Sequence, residues 1–223
     1  MRSTPILMMG GALCLALSAC QKQSAPTVIS TPADAVQDAG EKVPESVSWR
    51  SVATQQDRDR VRNWYSSWQT AVSDAEAKGD GAKIKAHGAL LSPTAAIDVP
   101  TLPVGEYRCR MMKIGAQGRA TLGFSVQDWG RCRVDGTAED RTFVKLDGVQ
   151  RPSGRIFPDG FSREIFLGTL SLSDEQASIP YGSDRMRDMA GIIERVSDGR
   201  WRIVLPEPAY ESLLDVMELE PVA

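Results

Sequence analysis

The sequence predicts a mainly β protein of the α+β class, in which an N-terminal amphipathic helix precedes an antiparallel meander of eight or nine strands. Two observations support this prediction. From residue 105 onward the chain consists of short apolar segments separated by Gly, Asp and Pro, with no long helical pattern between them. Before that point, one stretch carries apolar residues at helical spacing. Strands this numerous either close as a small barrel or fold into a sandwich of two packed sheets.

The helix is predicted from an apolar face that repeats at steps of three and four residues. This face consists of Val61, Trp64, Tyr65, Trp68, Val72 and Ala75. Polar residues fall largely outside it, among them Arg58, Arg60, Arg62 and Asp74. Thr54 with Asp57 is typical of an N-terminal cap, and Gly79 is typical of a helix end. We expect the aromatic face to pack against the core.

A second, short helical piece is predicted over 81–91, and an extended connection with Pro93, Pro100 and Pro103 follows it. The strands are then predicted over nine segments: 107–114, 120–127, 132–136, 142–146, 154–157, 164–172, 189–196, 201–205 and 213–219. Ser197-Asp198-Gly199 is a compact hairpin signal between two of them. Short connections of this kind predict that consecutive strands pair antiparallel.

The first twenty residues resemble a bacterial lipoprotein signal peptide. Arg2 gives a charged start, residues 6–17 are largely apolar, and Leu17-Ser18-Ala19-Cys20 looks like the lipobox of that class. The apolar run is too short to cross a hydrocarbon layer of roughly 30 Å as a permanent helix, and it has the pattern of a secretory signal. The resemblance implies that Cys20 becomes the first mature residue and carries lipid.

Composition predicts three regions. Residues 1–19 form the signal peptide, and 20–48 form a lipidated, flexible linker that is poor in large apolar side chains. Residues 49–223 form a single globular domain, which is long enough to bury a substantial core. Within this domain, 49–92 is the helical segment and 105–223 is the β-meander.

Cysteine usage agrees with export. Cys14 belongs to the signal peptide and Cys20 is used by the lipid, which leaves Cys109 and Cys132. Two cysteines in an oxidising compartment predict a disulfide, which closes a loop of about 24 residues and contributes roughly 3 kcal/mol. Zinc is the competing interpretation, but two cysteines and one histidine are fewer than its usual four ligands.

The charge distribution excludes one class of partner and predicts ion pairs. The formal net charge is −3 and the isoelectric point is about 5.3, so we expect no nucleic-acid partner. In the second half, arginines stand near the carboxylates Asp135, Asp184, Asp188 and Glu194. These arginines are Arg108, Arg110, Arg131, Arg133, Arg185, Arg187, Arg195, Arg200 and Arg202. We expect them to form solvated ion pairs that contribute little individually.

The sequence contains no recognisable catalytic set and no cofactor or metal motif. His87 is the only histidine, and its position near a helix end favours a structural or exposed role. Asp174-Glu175 with Asp184 and Asp188 supplies oxygen ligands of the kind that calcium prefers. Their spacing matches no known calcium loop, and two neighbouring arginines oppose cation binding. We therefore predict no catalytic residue, no metal ligand and no cofactor.

Two groups of residues are candidates for ligand or partner contacts. The first group lies in a Gly-containing connection, where binding residues are common, and consists of Tyr181, Asp184, Arg187 and Asp188. The second group flanks the two cysteines and consists of Arg108, Arg110, Arg131 and Arg133. Strand alternation places these arginines on the face opposite the cysteines. With the cysteines inside, they form an external basic patch for an anionic envelope component; in the mirror arrangement they line the barrel and hold an anionic ligand.

Two resemblances extend this picture. Gly105-Glu106-Tyr107 looks like a variant of the Gly-x-Trp opening of lipocalins, with Tyr in place of Trp, which implies a barrel that can hold one small ligand.

The second resemblance is carried by five segments, one of which includes the same three residues. They are Arg62-Asn63-Trp64-Tyr65-Ser66-Ser67-Trp68, Gly105-Glu106-Tyr107-Arg108-Cys109-Arg110, Phe166-Leu167-Gly168-Thr169-Leu170, Tyr181-Gly182-Ser183-Asp184 and Arg200-Trp201-Arg202-Ile203-Val204. Together they resemble a family of alphaproteobacterial, sphingomonad-like proteins named domain of unknown function 4893. That family implies an envelope protein and no known activity.

These observations predict a lipid-anchored protein at the periplasmic face of the outer membrane. Gln21 follows the lipobox cysteine, whereas enteric lipoproteins that stay in the inner membrane usually have Asp there. The expected function is non-enzymatic: binding of a small ligand or an anionic envelope component, or a structural role. The alternative is an envelope hydrolase that uses carboxylates without a histidine base.

Overall fold

The computed structural model describes residues 47–118, 121 and 123–222. The signal peptide, Cys20 and nearly all of the linker lie outside these residues, so their predicted roles stay predictions. The described helices are α1 Trp49–Val52, α2 Gln55–Ala77, α3 Gly81–Lys85 and a 3₁₀ helix, Gly88–Leu91. The strands are β1 Gly105–Ile114, β2 Phe124–Val126, β3 Gly130–Gly136, β4 Arg141–Lys145, β5 Gln150–Pro158, β6 Glu164–Leu172, β7 Asp188–Ser197, β8 Arg200–Pro206 and β9 Leu214–Pro221.

Eight of the strands form a closed antiparallel barrel, and β2 is the additional ninth strand. Consecutive strands pair from β3 to β9, and β1 closes the barrel by pairing with both β3 and β9. The β2 strand extends the β3 edge: Met112 lies opposite Val126 and Cys109 opposite Gly130. The three residues 127–129 therefore lie opposite only two residues of β1, which forms a β-bulge in an otherwise continuous pairing. The predicted meander is confirmed, and it closes as a barrel.

Strand β5 begins four residues before the predicted segment 154–157 because Pro152 weakens the strand signal. Val144 and Ser153 form the last pair between β4 and β5, so Pro152 lies beyond the region in which both edges of β5 are paired. It still stands opposite Leu170 of β6. Proline lacks a backbone N–H and is tolerated where only one edge of a strand is paired. Local propensity alone cannot identify such a position.

The barrel interior is a filled apolar core. Side chains from alternating positions of the strands meet there, including Tyr107, Cys109, Met111, Cys132, Val134, Phe143, Ile156, Phe166, Ile193, Trp201, Ile203, Met217 and Leu219. Phe143 and Phe166 pack edge to face with their ring centroids 5.8 Å apart. Cys109 and Cys132 form the predicted disulfide within this core. Since both cysteines are buried inside, the barrel contains a covalent link between β1 and β3.

The connection between the helices and β1 closes one end of the barrel. Leu102 is buried, its N–H donates to Glu164 Oε2 at 3.0 Å, and its carbonyl accepts from Arg141 Nη1 at 2.8 Å. The Trp201 indole donates to the Pro100 carbonyl at 3.1 Å, and the Tyr107 hydroxyl donates to the Pro103 carbonyl at 2.6 Å. Burial raises the pKa of Tyr107 to about 12, so the hydroxyl remains a donor. The proline-rich segment is thus a structural plug.

Helix α2 packs on the outer surface of the barrel, mainly against β7 and β8. Val61, Trp68 and Ala71 are buried in this contact. Gly115 has a φ of +68°, and a Cβ there would lie 3.1 Å from Cα of Ala71, so only glycine allows the loop after β1 to approach the helix so closely. The predicted packing face is confirmed for Val61, Trp68 and Ala75, which are buried, and in part for Trp64 and Val72, whereas Tyr65 is exposed. None of the described helices is long and apolar enough to span a membrane.

Arg202 of β8 joins the helical layer to the barrel. Its side chain is fully buried on the outer face of the barrel, where Nε donates to Glu194 Oε2 of β7 at 2.8 Å. Nη1 donates to the carbonyls of Ala89, Leu90 and Ser92 at 3.2, 2.9 and 2.7 Å. The expectation of solvated ion pairs is therefore wrong for Arg202 and Glu194, because the helical segment covers them.

We expect Arg202→Met to lower the free energy of unfolding by about 3–5 kcal/mol, since it leaves the Glu194 carboxylate buried without its partner. Urea denaturation of the purified chain measures the change. Arg131→Met is the matched control, because Arg131 is exposed and its ion pair with Asp147 is solvated; a change of less than about 1 kcal/mol is expected there. Equal effects in the two variants would contradict the role assigned to Arg202.

Candidate functional site

The end of the barrel opposite Leu102 contains a cavity of only about 10 Å³. Its lining residues are Met111, Lys113, Gln150, Leu170, Met186, Asp188, Met189, Pro208, Ala209, Tyr210 and Asp215. This volume corresponds to about one water molecule. The barrel mouth as it stands has no room for the single small ligand that the lipocalin resemblance implied.

Two carboxyl groups of this cavity have raised pKa values. Burial raises the pKa of Asp215, against the effect of the Lys113 ammonium, whose Nζ lies 3.2 Å from Asp215 Oδ2. The Ser212 hydroxyl also donates to Asp215. Burial raises the pKa of Asp188 as well, although the Gly182 N–H donates to its Oδ1 at 2.8 Å. Asp188 Oδ2 has no hydrogen-bond partner among the residues that the structure describes.

Tyr181 and Asp188 meet the start of helix α2 in a buried polar cluster. The Tyr181 hydroxyl donates to Asp57 Oδ2 at 2.6 Å, and Arg60 Nη1 donates to Asp57 Oδ1 at 2.8 Å and to the Asp188 carbonyl at 2.9 Å. The Thr54 hydroxyl donates to the same carboxylate of Asp57 at 2.8 Å. Burial, followed by the hydrogen bond to Asp57, raises the pKa of Tyr181. The cluster therefore ties the connection between β6 and β7 to the helix.

The other two candidates in this connection make separate contacts. Arg187 forms a bidentate pair with Glu175 at 2.9 Å and lowers the pKa of that carboxyl to about 2. Asp184 Oδ1 accepts from the Met186 N–H at 2.9 Å, which is a local turn contact. No three His, Cys, Asp or Glu side chains in the described part of the chain are grouped as metal ligands. Thus only Tyr181 and Asp188 of the predicted group share one site.

The four predicted arginines lie on the outside of the barrel, and each is paired with a carboxylate. Arg110 Nε donates to Glu218 at 2.7 Å and Arg108 Nε to Glu220 at 2.8 Å. Arg131 pairs with Asp147 and Arg133 with Asp135. The Trp129 ring, in the bulge, lies 4.4 Å from the guanidinium carbons of both Arg108 and Arg110. The predicted basic patch is therefore a mixed surface of both charges.

A groove of about 730 Å³ lies between α2 and the segment that follows it. Apolar residues make up most of its wall, and they are Tyr65, Trp68, Val72, Ile84, Gly88, Ala89, Leu91, Pro93 and Ala95. Its polar residues are Gln69, Ser73, Glu76, Lys85 and Ser92. Tyr65 is 43% exposed although it belongs to the apolar face predicted for the helix. We define this cavity as the helical groove.

His87 borders the helical layer but has no reactive neighbour in the described residues. Its ring packs edge-on against Phe124, with centroids 5.5 Å apart. Burial, together with the positive charge of Arg110, lowers the pKa of His87. The imidazole is therefore neutral at pH 7 and acts as a packing residue.

Sequence reasoning missed Asp57 and Arg60 as members of a buried site. Asp57 was assigned only to the helix cap, and Arg60 to the polar side of the helix; both are buried. The helical groove was missed because its two walls are separated by the turn at Gly79. A signal did exist for the groove, since Tyr65 and Trp68 form a large aromatic surface next to a second helical piece.

We expect Asp188→Asn to raise the midpoint of thermal unfolding at pH 7. Folding raises the pKa of Asp188, so at pH values above this pKa the ionised carboxyl opposes folding. The advantage of the variant should shrink as the pH falls through the folded pKa, because wild-type Asp188 then also becomes neutral. Calorimetry from pH 8 to pH 4 measures this, with the exposed Asp198→Asn as control. A variant less stable than the wild type at pH 7 would contradict the prediction.

Comparison with known proteins gives one match and two negative results. No curated protein and no solved structure matches the chain. The model of the family described as a domain of unknown function (DUF4893) matches residues 49–219, which includes the barrel, α2 and the helical groove. The chain therefore belongs to the DUF4893 family.

Proposed function

We propose that the protein is a lipid-anchored envelope protein that binds a small, largely apolar molecule in the helical groove without chemical conversion. The observation that carries this proposal is a difference in volume: the open groove offers about 730 Å³, whereas the cavity at the barrel mouth has about 10 Å³. Small-molecule sites commonly occupy several hundred Å³ and combine an apolar wall with a few polar groups.

The walls of the groove determine which molecule fits. Trp68 is held in one orientation, because Trp64 packs against its edge with centroids 6.3 Å apart and the Arg202 guanidinium lies 4.9 Å from its ring. Tyr65 adds a second, partly exposed ring. Glu76 and Lys85 stand at the rim with an oxygen and a nitrogen 4.0 Å apart. The expected ligand thus has an apolar ring system and one or two hydrogen-bonding groups.

The lipid anchor is supported by the lipobox resemblance at Cys20 and by the polar composition of residues 20–48. The disulfide between Cys109 and Cys132 fits an exported protein, since disulfides persist in oxidising compartments. A periplasmic location at the outer membrane accords with Gln21, which follows the lipobox cysteine.

A carboxylate hydrolase is the second candidate, because Asp188 and Asp215 both have raised pKa values and line the same cavity. Paired groups of this kind are typical of acid–base sites. A substrate would need the loop between β8 and β9 to move. Asp188→Asn distinguishes the two functions, because a hydrolase would lose turnover whereas the groove would retain its ligand.

The groove is tested with the fluorescent apolar probe N-phenyl-1-naphthylamine. We expect Ala89→Trp to weaken probe binding by about tenfold or more, because Ala89 lines the groove and an indole there fills it. Ala82→Trp is the matched control: Ala82 is also exposed, lies in the same helical segment and does not line the groove. Equal affinities in the two variants, or no binding by the native protein, would rule out the groove as the binding site.

The anchor is tested by Cys20→Ser. We expect this change to release the protein from membranes that have been washed in high salt, with the thermal unfolding midpoint of the domain unchanged, because residue 20 precedes the globular domain predicted over 49–223. Membrane fractionation followed by immunoblotting measures the distribution. Retention equal to that of the wild type would refute anchoring through Cys20.

A further inference from the structure

A protruding aromatic residue and a group of arginines occur together at the end of the barrel that Leu102 closes. Phe161 lies at the tip of the hairpin between β5 and β6 and is 93% exposed. Beside this hairpin, Arg50, Arg58, Arg62 and Arg163 surround a pocket of about 330 Å³ together with Trp49 and Val61. We call this region the Phe161 surface.

The apolar part of the surface extends beyond Phe161. The Val99 N–H donates to the Phe161 carbonyl at 3.3 Å, so the two residues are neighbours, and Val99 is 64% exposed. Ile97, two residues earlier in the same extended segment, is also exposed and pairs with Arg195. Large apolar side chains that project together into water are typical of an interaction surface.

The basic part of the surface is held in place by Asp159. Its Oδ1 accepts from Trp49 Nε1 at 2.8 Å and from Arg50 Nη1 at 2.9 Å, and its Oδ2 accepts from Arg163 Nε at 2.9 Å. Burial alone would raise the pKa of Asp159, but the hydrogen bonds from Trp49 and Arg50 lower it. The carboxylate therefore stays ionised and orients both arginines.

The pocket carries excess positive charge. Arg50 and Arg163 share Asp159, and Arg62 pairs with Asp59 at 2.8 Å. Arg58 has no carboxylate within ion-pair distance in the described structure; it donates to the Arg50 and Ala53 carbonyls and to Gln55. Four guanidinium groups thus face two carboxylates. The neighbouring segment adds one more acidic residue, Asp98, which lies between Ile97 and Val99.

We propose that the Phe161 surface docks on a bilayer that contains anionic phospholipid headgroups. Guanidinium groups bind phosphate oxygens well, and juxtamembrane basic residues are attracted to anionic lipid surfaces. An aromatic tip beside them places its ring at the interface between headgroups and acyl chains. The first described residues, 47 and 48, directly precede Trp49 of this surface. Docking would fix the orientation of the domain relative to the bilayer.

Docking through the Phe161 surface does not require the helical groove, and the test uses a chain that lacks the lipidation residue. The Cys20→Ser chain is mixed with vesicles of phosphatidylcholine alone or of phosphatidylcholine with phosphatidylglycerol, and the bound fraction is measured by flotation. We expect preferential binding to the anionic vesicles, weakened by salt because screening reduces the charge term. Equal binding to both vesicle types, or to neither, would overturn the proposal.

Two variants in the Cys20→Ser background locate the contact. Phe161→Ser should weaken binding to anionic vesicles by about tenfold, and Arg50→Gln with Arg62→Gln should weaken it by a similar factor of roughly ten. Phe161 is exposed, and Arg50 and Arg62 are more than half exposed, so the fold should be unaffected, as circular dichroism will verify.

The matched controls lie elsewhere on the barrel. Val149→Ser alters an exposed apolar residue in the turn between β4 and β5, at the opposite end of β5. Arg131→Gln with Arg133→Gln alters two exposed, paired arginines of the other charged surface. Both controls should bind as the parent does. A loss of binding in either control equal to that in the Phe161 variant would overturn the assignment to the Phe161 surface.

Discussion

The buried Arg202 guanidinium determines how the helical layer lies on the barrel. It neutralises Glu194 on the neighbouring strand, satisfies three carbonyls near the end of the 3₁₀ helix, and packs against the Trp68 ring of α2. Without Arg202 the Glu194 carboxylate would be buried without its charge partner, which is costly in a water-excluded layer. The helical groove depends on the same residue, since Trp68 and the segment around Leu90 form its opposite walls.

Because the barrel interior is filled, the candidate functional surfaces lie on the outside of the barrel. The disulfide, the aromatic pair Phe143 and Phe166, and the plug at Leu102 occupy the interior from the centre to one end, and the other end retains space for about one water molecule. Compared with barrels that enclose a ligand, this one is a rigid support. It displays the helical groove on its side and the Phe161 surface at its plugged end, and neither requires the interior to open.

Prediction from the sequence succeeded where local periodicity carries the information. All nine predicted strand segments contain an observed strand, and the apolar face of the long helix does pack on the barrel. It failed for polar residues: Arg60 and Asp57 were placed on the polar side and at the cap, yet the connection that contains Tyr181 covers them. A helical repeat reveals which residues share a face, but a distant segment that buries a second face leaves no periodic signal.

Patterns in the amino-acid sequence were enough to predict the class of the protein: an antiparallel meander after one helix, a disulfide between its two domain cysteines, and membership in the DUF4893 family. These follow from patterns within short windows and from residue counts. Three features became visible only in the folded chain: the meander closes as a barrel, its interior is filled, and Arg202 and Asp188 are buried. The reason is that closure, cavity volume and the solvation of a charge depend on contacts between segments far apart in the chain, which side-chain alternation cannot encode.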